Sequence, residues 1–135
     1  MKKTIFFVSL ILFSAMGLLA QPYPKGLAVG DKAPDFTGQD SKGNAFTLAT
    51  HLKKGEVVLI FYRGQWCPFC NKQLSSLNDS LQAIVSKGAM LVAVTPETVD
   101  NVDKTISKTK ASFPIISDSD LKIMKSYQVD FSVEQ

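Results

Sequence analysis

The sequence predicts an α/β fold in which a central, mostly parallel sheet is flanked by helices. Two continuous apolar runs, residues 57–62 and 90–94, are typical of strands that are buried on both faces. Between these runs, apolar residues recur at steps of three and four, as on one face of an amphipathic helix. Strands that alternate with helices favour parallel pairing. With 135 residues, the chain is long enough for one domain and too short for two.

Residues 1–20 have the organisation of a signal peptide. Lys2 and Lys3 form a basic start, residues 5–13 are apolar apart from one serine, and small residues precede the candidate cleavage points. We expect the mature protein to be exported, to the periplasm or another extracytoplasmic space where disulfides persist. The alternative is an uncleaved membrane anchor, although the segment falls short of the ~20 apolar residues that span a bilayer comfortably. Residues 21–26, with two prolines and a glycine, are predicted to be a linker.

The domain is predicted to span residues 27–135 and to begin with a β-hairpin. Residues 36–40 and 45–48 are candidate strands, and the Ser-Lys-Gly-Asn sequence between them is typical of a turn. Residues 57–62 follow. Their uninterrupted apolar character favours a central strand of the parallel sheet over a half-exposed one.

A long amphipathic helix is predicted from Pro68 to the Lys-Gly pair at residues 87–88, where glycine ends it. Its apolar face is formed by Leu74, Leu77, Leu81, Ile84 and Val85. The apolar run at residues 90–94 is the next strand. Residues 95–97, Thr-Pro-Glu, then predict the start of another helix, with proline at an early position.

The remaining elements are a short strand and a last helix. Residues 113–116 predict the strand, and Asp118 or Ser119 predicts the cap of a helix that runs through Tyr127. Lys108 and the lysines near it are typical of a solvated helix face.

The net charge of the chain gives no strong electrostatic case for binding to nucleic acid or an anionic membrane. The chain has 15 basic and 12 acidic residues, and without Lys2 and Lys3 the balance is 13 against 12, or +1. So small a net charge gives no electrostatic case for nucleic acid or an anionic membrane. We therefore expect no nucleic-acid partner, and no membrane partner for the mature domain.

The strongest functional signal is the sequence Trp66-Cys67-Pro68-Phe69-Cys70, which contains both cysteines of the chain. If Cys67 caps the predicted helix and Pro68 is its first residue, free backbone N–H groups surround the Cys67 sulfur and lower its pKa. Cys70 lies three residues on, so it faces the same side and can close a Cys67–Cys70 disulfide. One thiol then attacks a substrate sulfur or oxygen, and the other resolves the intermediate.

Two other uses of the cysteines are weaker. A structural disulfide across so short a loop constrains the unfolded chain little. A metal site needs further ligands, and His51 is the only histidine of the chain. We therefore expect neither a metal nor an organic cofactor, because the cysteine pair itself is the redox centre.

Four residues are candidates to support the cysteines. Pro68 starts the helix, and Arg63 is placed to hydrogen-bond a thiolate or a peroxide, although a solvated loop arginine has the same sequence signal. Trp66 is a candidate apolar wall for a partner protein, or else a packing residue. Thr95 follows a parallel strand at its carboxyl end, where sites of α/β proteins gather, although a helix start alone would explain it.

Four segments, in order along residues 27–131, resemble the alkyl hydroperoxide reductase/thiol-specific antioxidant (AhpC/TSA) family, the peroxiredoxin-like branch of the thioredoxin superfamily. They are Val29-Gly30-Asp31-x-Ala33-Pro34-Asp35-Phe36, the strand ending in Phe61-Tyr62, Val94-Thr95-Pro96-Glu97, and Phe113-Pro114-Ile115-Ile116-Ser117-Asp118. The resemblance implies a thioredoxin-like fold, a peroxide or protein disulfide as substrate, and a thiol electron donor such as a thioredoxin-like protein. A complete thioredoxin fold continues into an antiparallel strand pair and a final helix, which we expect this chain to lack.

The resemblance leaves the assignment of the nucleophile open. When the Pro-x-x-x-Thr-x-x-Cys loop of peroxiredoxins is aligned with residues 63–70, the peroxide-attacking cysteine corresponds to Cys70. Arg63 then stands at the position of the proline and Cys67 at that of the threonine. Arg63 is the only arginine of the chain, so the downstream arginine of the family has no counterpart. Resemblance to thioredoxins instead favours Cys67, as the more exposed thiol at the helix start, with Cys70 resolving.

The leading hypothesis is therefore an exported, peroxiredoxin-like antioxidant enzyme that reduces peroxides or disulfides. One alternative is a dedicated thiol–disulfide oxidoreductase of the thioredoxin type. The other is a redox-inert module that keeps the fold without turnover.

Overall fold

The computed structural model describes residues 24–130, which form two small sheets and the helices around them. The predicted signal peptide and half of the predicted linker lie outside the described residues. An antiparallel hairpin is formed by β1 (Thr37–Gln39) and β2 (Ala45–Thr47), with Gly38 opposite Phe46. The second sheet is parallel, in the order β3-β4-β5, and consists of β3 (Val57–Phe61), β4 (Met90–Thr95) and β5 (Ile115–Ser117). The predicted hairpin and parallel strands are therefore confirmed.

Helices connect and cover the strands, as the alternating pattern predicts. In chain order they are α1 (Leu48–Leu52), α2 (Pro68–Asp79), α3 (Leu81–Ser86), α4 (Val99–Thr109) and α5 (Lys122–Ser126). Within residues 24–130, none of these helices is long and apolar enough to cross a membrane.

The core lies on both faces of the parallel sheet, because successive residues of β4 point to opposite sides. Val92 and Val94 belong to one buried cluster, and Leu91 and Ala93 belong to the other. The first cluster is completed by Phe36, Phe46, Leu48, Ile116, Ile123, Met124 and Tyr127, and the second by Tyr62, Leu74, Val102, Ala111, Phe113 and Ile115. The Tyr127 hydroxyl donates a hydrogen bond of 2.7 Å to the carbonyl of Pro34, which is distant in sequence. This bond connects the segment before β1 to the end of α5.

The central strand of the parallel sheet is β4 rather than β3. Among residues 24–130, β3 pairs on one side only, and the Val58 side chain is 40% exposed. The expectation that residues 57–62 form the central strand is therefore wrong for this part of the chain. An apolar run indicates what lies above and below a strand, whereas it carries no information on how many neighbours the strand has in the sheet.

The long helix predicted from Pro68 is interrupted at Ser80, whose hydroxyl donates to the Ser76 carbonyl at 3.1 Å. Four of the five predicted apolar residues are buried or pack against the second core cluster: Leu74, Leu77, Leu81 and Ile84. Val85 does not, and it is 56% exposed. It follows Ile84 directly and so points about 100° away from it around the helix.

Helix α4 begins at Val99, not at the predicted residues 95–97. Thr95 is the last residue of β4, and the extended residue Thr98 immediately precedes the helix. Proline at position 96 disfavours helical conformation at Thr95, and Thr98, at φ −69° and ψ 161°, is still extended, so the helix starts only after it. Glu97 is consequently free of the helix and turns its carboxylate towards the loop after β3.

The last helix, α5, is shorter than predicted and ends one residue before Tyr127. Leu121, at φ 60°, separates it from β5. The N-cap residue is Leu121, three positions after the predicted Asp118. The Asp118 carboxylate nevertheless accepts the N–H groups of Ile123 and Met124 at 3.0 and 2.8 Å, and so satisfies donors of the first turn from outside the N-cap position.

Truncation of Leu74, which is 1% exposed, tests the second core cluster. We expect Leu74→Ala to lower the free energy of unfolding by about 2–5 kcal/mol, since it removes buried apolar surface and leaves a cavity. Urea denaturation measures the change. Val85→Ala is the matched control on the exposed side of the next helix and should cost less than about 0.5 kcal/mol. Equal losses for the two variants would contradict the assignment of the buried face.

Candidate functional site

The candidate site lies where the loop after β3 meets the N-terminus of α2. Cys67 is the N-cap residue, with an extended backbone at φ −86° and ψ 108°, and Pro68 is the first helical residue. The Cys67 N–H donates to the Gly64 carbonyl at 3.1 Å, which closes the loop into a turn. Proline at this position costs no hydrogen bond, because the first N–H groups of a helix have no partner within it.

Two nitrogen donors contact the sulfur of Cys67. The Cys70 backbone N–H lies 3.3 Å from Cys67 Sγ, and Arg63 Nη2 lies 3.2 Å from it. Both cysteines are free thiols in this structure. Cys67 thus occupies the capping position that serine, threonine or aspartate usually fills, with sulfur as the acceptor.

The expectation that Cys67 is the more exposed thiol is wrong. Cys67 is 0% exposed, whereas Cys70 is half-buried. The capping geometry explains the difference, because it turns Cys67 Sγ back over the first turn of α2 and beneath the Arg63 side chain.

The contacts of Cys67 favour its thiolate. Hydrogen bonding from the Cys70 side chain lowers the pKa of Cys67 most, burial opposes it, and the Cys70 N–H and Arg63 lower the pKa further. The net effect is a pKa below the ordinary value of a cysteine. The same hydrogen bond to Cys67 raises the pKa of Arg63, so its guanidinium stays charged.

Three of the supporting residues proposed from sequence surround Cys67. The Arg63 guanidinium lies over the Trp66 ring, 5.3 Å from its centroid, in the range of a cation–π contact. Trp66 is 60% exposed and Phe69 is 79% exposed, so two aromatic side chains flank the thiol pair on the surface. Pro68 joins them at the start of α2.

The fourth, Thr95, lies in the protein interior. It is fully buried, and its hydroxyl lies beside that of Tyr62, outside hydrogen-bond geometry. The Tyr62 hydroxyl donates instead to Thr105 Oγ1 at 3.3 Å, and burial raises the pKa of Tyr62. Thr95 makes no hydrogen bond to either sulfur among the described residues.

Residues that the sequence pattern does not single out hold the loop at Gln65. The Gln65 N–H donates to Glu97 Oε2 at 2.7 Å, and the Gln65 carbonyl accepts from Asn71 Nδ2 at 2.9 Å and Lys108 Nζ at 3.1 Å. Glu97 precedes α4, Asn71 lies on α2, and Lys108, predicted only as part of a solvated face, lies on α4. The one available sequence signal is an acidic residue, Glu97, two positions after the end of a parallel strand.

Gly64 is required by the same arrangement. Its φ of 152° is rare for other residues, and a Cβ atom there would lie 2.6 Å from Glu97 Oε1 and 2.7 Å from Trp66 Nε1. The loop can therefore approach Glu97 this closely only with glycine at this position.

Comparison with known proteins gives one family and a consistent set of relatives. The model of the AhpC/TSA family matches residues 29–134. A protein of Mycobacterium tuberculosis (strain ATCC 25618 / H37Rv) that carries the name peroxiredoxin is 30% identical over 101 residues, 75% of this chain and 64% of that protein. The thiol-disulfide oxidoreductase ResA of Geobacillus kaustophilus is 30% identical over 104 residues, 76% of this chain and 59% of that protein. The aligned part of this chain thus spans less than two thirds of either relative.

Solved structures agree with this result. The crystal structure of the peroxidoxin BcpB from Mycobacterium tuberculosis has a TM-score of 0.72 at 25% identity, and the match covers 77% of this chain and 68% of that one. The thioredoxin domain of a thiol-disulfide oxidoreductase from Bacteroides vulgatus has a TM-score of 0.66 at 27% identity, over 78% of this chain and 76% of that one. The predicted thioredoxin-like fold is therefore confirmed.

The pH dependence of Cys67 alkylation tests the lowered pKa. We expect the rate with iodoacetamide to rise with pH around a midpoint below that of an ordinary cysteine, because only the thiolate reacts. Arg63→Gln should move the midpoint upward, since it removes a donor and a positive charge from the thiolate. Peptide mass mapping assigns the modified cysteine. A midpoint that Arg63→Gln leaves in place would contradict the role of the guanidinium.

Substitution of Gly64 tests the contact with Glu97. Gly64→Ala combines an unfavourable φ with a clash, and we expect it to lower the free energy of unfolding by about 2–4 kcal/mol. Gly43→Ala is the control: its φ is 80°, but a Cβ there meets nothing within 4 Å, so it should cost only about 1 kcal/mol. Thermal or urea unfolding compares the two, and similar losses would rule out a tight approach to Glu97.

Proposed function

We propose that this chain, which belongs to the AhpC/TSA family, is an exported thiol oxidoreductase that works through Cys67 and Cys70. The observation that carries the proposal is the environment of Cys67 Sγ, which accepts hydrogen bonds from the Cys70 N–H and from Arg63 at a helix N-terminus. A sulfur in that position is stabilised as the thiolate, the form that attacks disulfides and peroxides.

Disulfide reduction is the reaction that this geometry supports best. The Cys67 thiolate attacks one sulfur of a substrate disulfide, the substrate S–S bond breaks, and the other substrate sulfur leaves as a thiolate. Cys70, one turn along α2, then attacks Cys67 Sγ. The mixed disulfide breaks, a Cys67–Cys70 disulfide forms, and the substrate has gained two electrons as a pair of thiols.

Peroxide reduction is the second candidate, and the position of Arg63 favours it. A guanidinium beside the thiolate can donate a hydrogen bond to a peroxide oxygen. The thiolate attacks that oxygen, the O–O bond breaks, and a sulfenic acid and an alcohol or water result. The second cysteine then condenses with the sulfenic acid and releases water. Resemblance to peroxiredoxins favours attack by Cys70, whereas the thiolate-stabilising contacts surround Cys67.

Either reaction leaves a Cys67–Cys70 disulfide that must be reduced before the next cycle. We propose an external thiol donor, such as a thioredoxin-like protein, for this step. The exposed rings of Trp66 and Phe69 beside the cysteines support a protein as partner, because exposed apolar groups next to a reactive site are typical of protein contacts. The signal-like residues 1–20 support the proposal of export, which agrees with a function in an oxidising space.

Single-cysteine variants separate these reactions. We follow Trp66 emission of the reduced protein by stopped flow, with an oxidised protein disulfide or with stoichiometric hydrogen peroxide. For disulfide exchange, Cys67→Ser should slow the response more than about 100-fold, because it removes the nucleophile. Cys70→Ser should instead trap a mixed disulfide at Cys67, visible by mass spectrometry.

The remaining outcomes are equally informative. A fast response to peroxide that Cys70→Ser abolishes and Cys67→Ser retains would establish peroxidase chemistry at Cys70 and contradict the assignment of Cys67. If Trp66 emission changes with neither oxidant, and the thiols resist alkylation in the folded protein, the chain is a redox-inert module.

A further inference from the structure

The nucleophile proposed above is covered in this structure. Cys67 is 0% exposed. To attack a disulfide, a thiolate must approach one sulfur in line with the S–S bond, and a fully buried sulfur offers no such approach to a peptide. A group that covers Cys67 must therefore move before the reaction, and its identity decides which substrates can trigger the movement.

Of the two nitrogen donors to Cys67 Sγ, only one is free to leave. The Cys70 N–H belongs to the backbone of α2 and moves only if the helix unwinds. Arg63 is an exposed loop side chain, held over the sulfur by a single hydrogen bond and by the face of Trp66. Rotation of the Arg63 side chain is therefore the simplest way to uncover Cys67.

No carboxylate competes for Arg63 within residues 24–130. The ion pair found there joins Lys122 to Asp120, and Arg63 has no acidic partner. Glu97 is the acidic group of the neighbouring loop, and its carboxylate is nearly buried and engaged by the Gln65 N–H. Two further side chains donate to the Gln65 carbonyl of this loop: Lys108 is cationic and Asn71 is neutral, so neither offers Arg63 a carboxylate. In the described part of the chain, the guanidinium at the entrance to the site thus has the thiolate as its only anionic partner.

We infer that Arg63 selects disulfide substrates that carry a carboxylate beside the reacting sulfur. The guanidinium leaves Cys67 Sγ and binds the carboxylate through two parallel N–H···O hydrogen bonds, the geometry that suits arginine better than lysine. The substrate thereby uncovers the thiolate and is anchored next to it. A neutral or basic substrate must break the same hydrogen bond between Arg63 and Cys67 Sγ, and it offers the guanidinium no carboxylate in exchange. This inference rests on the proposed disulfide exchange.

The first test does not depend on turnover. Iodoacetate and iodoacetamide alkylate the same thiolate and differ in the carboxylate, so the ratio of their rate constants cancels any change in the thiolate fraction. We expect the iodoacetate-to-iodoacetamide ratio at Cys67 to be about fivefold higher in the wild type than in Arg63→Gln at low salt. Peptide mass mapping confirms that the label is on Cys67.

Two further variants make this test specific. Arg63→Lys keeps the charge and loses the paired hydrogen bonds, so its ratio should lie between those of the wild type and Arg63→Gln. Lys72→Gln removes an exposed charge from the same helix without contact to the sulfur and should keep the wild-type ratio. An equal ratio in the wild type and Arg63→Gln, or an equal loss in Lys72→Gln, would overturn a specific role of Arg63.

The second test uses three peptide disulfides that are identical except for glutamate, glutamine or lysine beside the cysteine. At low salt we expect kcat/KM to be about fivefold higher for the glutamate peptide than for the lysine peptide, and Arg63→Gln to remove the difference. Equal rates for all three would overturn the substrate preference and leave disulfide exchange intact. Reduction of none would overturn the proposed function and the preference with it.

Discussion

The hydrogen bond from the Cys70 N–H to Cys67 Sγ links the helix to the chemistry. A helix N-terminus needs an acceptor for its free N–H groups, and this one uses sulfur. A thiol accepts hydrogen bonds weakly, whereas a thiolate accepts them well. Ionisation of Cys67 therefore also stabilises the N-terminus of α2. The fold favours a reactive sulfur because the negative charge of the thiolate interacts favourably with this end of the helix.

The loop that carries Arg63 and Trp66 is positioned from outside the motif. Gln65 receives contacts from Glu97, which follows β4, and from Lys108, which lies on α4. These residues are far from the cysteines in sequence, so the guanidinium reaches the sulfur only after the strands and helices have assembled. The site is consequently a property of the whole α/β layer structure, and a peptide containing the cysteine motif would lack it.

The sequence predicts local features of this protein well and long-range ones poorly. Turn residues and alternation predict the hairpin, apolar runs predict the parallel strands, and the cysteine-proline pair predicts the start of α2, because each depends on neighbouring residues. The central place of β4 depends on pairing between distant strands. The burial of Cys67 depends on the direction in which one side chain turns, and the contact of Lys108 with Gln65 joins residues that are 43 positions apart. No periodicity in the sequence contains this information.

The hydrogen bond between Tyr127 and Pro34 has a consequence for the order of folding. The two residues are 93 positions apart, the largest sequence separation among the side-chain hydrogen bonds of the described residues. Because the chain is synthesised from its N-terminus, the segment before β1 is made before the rest of the described residues and yet waits for α5 before it can dock. This early segment is thus among the last parts of the described chain to be secured. Until α5 is made, Phe36 can stack on Phe46 but lacks Tyr127, its second aromatic neighbour in the finished core.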